Sequence, residues 1–146
     1  MNDRFKFRAW NKLSNEMKDV ISLNINYEFP DCSNVILETN TFDNIKTHNN
    51  PITCSNGLNN VVLMQCTGLK DKNGKLIYEG DILGGTYGNL YIHYCDNCKQ
   101  FQLKANDYGC MACEGDIHWD EVVEDNNELE VVGNIYENPE LLESEG

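Results

Sequence analysis

The sequence predicts a mainly β fold, α+β with little helix, on three observations. RFKFRAW (residues 4–10) alternates apolar and polar side chains, the spacing of a pleated strand with one covered face. Turn residues punctuate the chain between short strand-like runs, above all Asn73-Gly74 and the glycines of GGTYG at 84–88, which suit tight turns and hairpin ends. No long amphipathic helix and no internal repeat is present. The expected architecture is a small bent sheet or SH3-like barrel with a zinc-knuckle hairpin. It forms one domain over 1–146, with a variable loop at 38–60 and the knuckle inserted at 94–118.

In RFKFRAW, Phe5, Phe7 and Ala9 alternate with Arg4, Lys6 and Arg8, so rings should face one way and cations the other. A turn around Ser14 and Asn15 leads to a second strand in DVISLNINYEF (19–29). Residues 38–60 are rich in Asn and contain Pro51 and Gly57, the composition of a long loop. VVLMQC (61–66) resumes the strand pattern, DKNGK (71–75) turns it, and LIYEGDIL (76–83) returns. Further strands are expected at NLYIHY (89–94), KQFQL (99–103), DIHWDEVV (116–123) and ELEVVGNIY (128–136). Asn138 and Pro139 suit the cap and first turn of a short terminal helix through Leu142.

With 146 residues and 40% hydrophobic side chains, the chain can bury one modest core. It has no apolar run near the roughly 20 residues of a membrane span, and MNDRFKFRAW lacks the apolar stretch of a secretory signal. A cytoplasmic location and no membrane partner are expected. The net charge is −13 and unevenly placed. Residues 114–146 hold twelve Asp and Glu and no Lys or Arg, whereas residues 1–18 hold five basic side chains. Such a segment is either a solvated edge or a face that docks on a basic protein. Asp120, Glu121, Glu124 and Asp125 are its candidate contacts. Binding of duplex DNA would need a basic groove, and only the N-terminal strand with Arg4, Lys6 and Arg8 offers one.

Cys95, Cys98, Cys110 and Cys113 form two Cys-x-x-Cys pairs separated by eleven residues. Four thiolates in this spacing can close a tetrahedral structural zinc site, each pair folding as a tight knuckle. Unliganded reduced thiols are the alternative in a reducing compartment. Redox chemistry fits less well, because neither pair opens a helix whose dipole would lower a thiol pKa. His93 and His118 bracket the cluster as substitute ligands or as ordinary half-buried strand positions. A hairpin closed by the metal would present Lys104, Asn106 and Tyr108 at its tip. Four protein ligands leave zinc no open position for substrate. No phosphate-cradling loop, His-Glu-x-x-His or Gly-x-Ser-x-Gly turn is present, so no enzyme is expected.

FKFRAW (5–10), LMQCTGLKDKNGKLIYEGDIL (63–83) and EVVGNIYENPELL (130–142), in this order, resemble the YopX family of phage and prophage proteins. The resemblance implies a small, mostly β protein made in a bacterial host, and it supplies no catalytic residues. Within the matched segments Asn73 and Gly74 are expected to set a hairpin and Gly80 and Asp81 to turn the chain. Trp10, Leu69, Tyr78, Ile135 and Tyr136 are the expected core anchors. The functional expectation is an accessory protein that binds a host or phage macromolecule, as an acidic inhibitor of a nucleic-acid-binding defence protein. The alternative is a zinc-stabilised nucleic-acid-binding adaptor, and a homo-oligomer stays open.

Overall fold

The computed structural model describes residues 3–24, 34–37, 61–85, 88–104 and 128–143. Two compact units divide the chain, Lys6–Met64 and the larger Met1–Phe5 with Gln65–Gly146. The fold is mainly β, as the alternation and turn residues require, and every strand pairing described is antiparallel.

In the smaller unit, strand β1 (Phe7–Asn11) pairs with β2 (Glu16–Asn24). The turn between them is built by Asn11, whose Oδ1 accepts the Leu13 N–H at 2.9 Å while its carbonyl accepts the Asn15 N–H at 2.8 Å. Asn15 takes the left-handed conformation at φ 54°, which Asn tolerates better than most residues. Strand β3 (Asn34–Leu37) pairs with β2, and the order continues β3-β2-β1-β4. Strand β4 (Val61–Lys70) passes from this unit into the larger one. Ala9 and Val61 are buried here, with Val20, Leu23 and Leu63 against them.

The alternation expected from Arg4 to Arg8 does not hold. Residues Asp3–Phe5 form a 3-10 turn, whose period of three breaks the phase before the strand begins. Phe5 is 73% exposed, and Arg8 is only 9% exposed beside fully buried Ala9. Both faces of β1 are covered, so this strand presents no row of cations to solvent.

The larger unit contains β5 (Leu76–Tyr78), paired with β4, and a second sheet of β6 (Asp81–Gly85), β7 (Gly88–Cys95), β8 (Gln100–Lys104) and β9 (Glu130–Asn134) in the order β8-β7-β6-β9. Its core is Ile77, Leu83, Ile92, Phe101, Leu103, Leu129 and Val131, with Leu69, Leu90 and Tyr94 packed against it. Each fully buried aliphatic here contributes about 1.5–3 kcal/mol. Of the expected anchors, Leu69 packs against this core, and Trp10, Tyr78, Ile135 and Tyr136 are half-buried. For Trp10, Tyr78 and Tyr136 the polar tip of the ring favours contact with water. Gly85 lies opposite Gly88 at the end of the β6–β7 pairing, where a hairpin end was expected.

The short terminal helix expected through Leu142 is a single 3-10 turn, Pro139–Leu142, with Pro at its start. Asn138 does not cap it with a side-chain bond. Its Oδ1 accepts the Asn134 N–H at 3.3 Å instead. The strands expected at 116–123 and the loop at 38–60 lie outside the described residues.

Candidate functional site

Cys95 and Cys98 lie on one turn of the β7–β8 hairpin. Cys95 ends β7 opposite Gln100, the first residue of β8. The chain reverses over residues 96–99, where the Lys99 N–H donates to the Cys95 carbonyl at 2.8 Å. That bond spans four residues, the reach of one helical turn. Lys99 leaves the turn with φ 56°, which redirects the chain into β8. Tyr94 and Phe101 then meet edge to face, with centroids 5.4 Å apart. Cys95 is 4% exposed and Cys98 half-buried. Both carry thiols, as does buried Cys66.

Cys110, Cys113, Asn106, Tyr108, His118, Asp120, Glu121, Glu124 and Asp125 lie outside the described residues. Among the described residues no group of three His, Cys, Asp or Glu could hold a metal ion. Lys104 is the last residue of β8, half-buried and opposite Tyr91. Phe101 and Leu103 of the same strand belong to the core, so residues 94–104 are part of the main sheet. His93 is half-buried on β7 opposite Gln102.

Asp71 and Asn134, which the sequence did not single out, and Asp81, expected to turn the chain, build corners. Asp71 is 8% exposed. Its Oδ1 accepts the Asn73 and Lys75 N–H groups at 2.9 Å each, and its Oδ2 accepts Val131 N–H at 3.0 Å. Burial opposes its charge, but the N–H groups of Val131, Lys75 and Asn73 outweigh burial and hold its carboxyl below the usual range. Asp81 Oδ2 accepts the Tyr78 N–H at 2.8 Å. Asn134 Oδ1 accepts the N–H groups of Tyr136 and Glu137 at 3.0 and 2.9 Å.

Glu79 is pushed the other way. Burial raises its pKa, against the N–H of Tyr94, the charge of His93 and the N–H of Gln65, while Asp96 adds to the rise. Gly80 donates to Ile92 O at 2.8 Å and accepts from Ile135 N–H at 2.9 Å, so one peptide corner ties β7 to the end of β9. Tyr136 is raised too, by burial and then by the Glu79 charge. The only sequence signal for this corner is the Glu-Gly-Asp run at 79–81.

Acidic side chains gather in the last described segment. Glu128, Glu137, Glu140 and Glu143 are exposed. Half-buried Glu130 pairs with Lys72 at 2.6 Å.

A family model described as YopX protein matches residues 6–143. The chain belongs to the YopX family. It is also similar to a solved structure, protein EF1440 from Enterococcus faecalis, at 29% identity and a TM-score of 0.50, over 94% of this chain and 97% of that one. A search of curated proteins returns no match. In this YopX chain the family-like segments hold the scaffold together. Thr67 Oγ1 donates to the Ile77 carbonyl at 2.8 Å, where the β4–β5 register shifts. Asp71, Asp81 and Asn134 tie their corners as described above. Gly74 and Gly80 take φ values of 82° and 80°, which a side chain would strain. Among the described residues no helix is long and apolar enough to cross a membrane.

Proposed function

We propose that this YopX protein is a phage-encoded, non-enzymatic accessory protein of the host cytoplasm. It binds a basic macromolecule through its acidic C-terminal face, as an inhibitor of a host nucleic-acid-binding defence protein. The observation that carries this reading is the one-sided charge of residues 114–146, with twelve carboxylates and no Lys or Arg. Exposure of Glu128, Glu137, Glu140 and Glu143 supports it, because such a face steers basic partners and competes with phosphate for them. Asp120, Glu121, Glu124 and Asp125 are further contact residues, as are Lys104, Asn106 and Tyr108. Cys95, Cys98, Cys110 and Cys113 hold one structural zinc, which fixes the segment between them.

Affinity capture from infected host cells with mass spectrometry identifies the partner. It should be basic, and its association should slow as salt rises. The D120N/E121Q/E124Q/D125N variant should bind more weakly; full affinity in that variant removes the acidic-docking reading. Gel-shift assays at low salt, where electrostatic attraction is strongest, test nucleic acid as the partner instead. Protein purified without added metal should carry about one zinc per chain, and Cys95→Ser or Cys110→Ser should release it and lower the Tm. Absence of metal with all thiols titratable removes the zinc.

A further inference from the structure

We propose that Cys95 and Cys98 are a preformed two-thiol half-site that binds a thiophilic ion without help from Cys110 or Cys113, and so captures the metal first. The step from half-site to zinc capture rests on the zinc reading above; the half-site itself does not. Cys95 and Cys98 are three apart on a turn closed by the Lys99 N–H to Cys95 O bond of 2.8 Å. Lys99, directly after Cys98, takes φ 56° and turns the chain back into β8, and a Cys-x-x-Cys spacing across such a reversal lets two sulfurs reach one ion.

The turn is anchored on both flanks. Cys95 continues a strand whose Ile92 is 1% exposed, and β8 brings Phe101 and Leu103 into the same core. The pairs Cys95 with Gln100 and Tyr94 with Phe101 fix the register immediately inside the turn. Folding of the sheet therefore sets the positions of both cysteines before any metal arrives. A ligand that needs only two thiolates meets a prepaid geometry, which lowers the ordering cost of binding. Thiolates select soft ions, so trivalent arsenic, which accepts two or three sulfurs, is the matching probe.

Phenylarsine oxide condenses with two thiols, forming two As–S bonds and releasing one water. In the C110S/C113S variant, one equivalent of this probe added to the folded protein should protect Cys95 and Cys98 together from later alkylation in denaturant, which removes the shielding that 4% exposure gives Cys95, read peptide by peptide by mass spectrometry. The C95S and C98S versions of that variant should each lose protection of the remaining cysteine. Far-UV circular dichroism of each variant checks that the sheet is intact. Alkylation of either cysteine after treatment of the folded C110S/C113S protein overturns the half-site, even if the wild type holds zinc. Joint protection in a protein that never holds zinc supports the half-site and leaves only the zinc reading refuted.

Discussion

Asp71 shows how a single carboxylate can join elements distant in sequence. Its two oxygens hold the Asn73-Gly74 turn and reach Val131 on β9, 60 residues away. Replacing it with Ala leaves three backbone N–H groups to find other acceptors, at a cost of about 3 kcal/mol. Urea denaturation at pH 7 measures that loss. The pH dependence has a definite sign. The folded-state pKa of Asp71 is lowered from 3.8, so its contribution is fully present above the unfolded pKa and is lost as pH falls through the folded value. The stability gap between wild type and Asp71→Asn should stay constant above about pH 5 and narrow below about pH 4. A gap that stays constant down to pH 2 would show that the charge is not what holds the corner. Asn73-Gly74 announced this turn in the sequence, but nothing announced Asp71, because its third bond depends on a partner that only the fold supplies.

At the scale of elements, the strands with a clean alternation or a strong turn signal were legible, and those interrupted by local backbone chemistry were not. β7, β8 and β9 fall where the sequence puts them, whereas the run expected at 76–83 is divided at Glu79-Gly80 into β5 and β6. Residues 34–37 carried no bounded strand pattern, and the 3-10 turn at Asp3–Phe5 shifted the phase of RFKFRAW. The β9 corner shows the same limit, since Asn138 looks like a helix cap but is drawn back to Asn134. A Cβ at Gly133 would lie 2.5 Å from Asn138 Oδ1, so Gly133→Ala must displace that side chain. The expected cost is about 1–3 kcal/mol. Asn138→Ala alone should cost about 1 kcal/mol. In the G133A/N138A protein the clash has no target, and the double variant should lose less than the sum of the two single ones. Additive losses in thermal or urea unfolding would place the strain of Gly133→Ala elsewhere.

For the whole molecule, the core set limits on what a metal can control. The sequence marks Cys95, Cys98, Cys110 and Cys113 by spacing alone and gives no sign that the first pair is rooted in the main sheet. That rooting depends on long-range packing, with Phe101 and Leu103 joining Ile77, Leu83 and Val131. A metal that merely closed an appended hairpin would leave the whole of residues 94–118 to lose order on chelation. With β8 held by apolar burial and by its ladder to β7, the amides of residues 100–104 should keep their hydrogen-exchange protection when zinc is removed. Exchange in these strands then tracks global unfolding, whereas segments fixed only by the metal exchange by local opening. Chelator-treated and untreated protein compared by hydrogen exchange and mass spectrometry gives the test. Protection lost over 100–104 at the same chelator concentration that releases zinc would make the metal, not the apolar core, the element that holds β8 in the sheet.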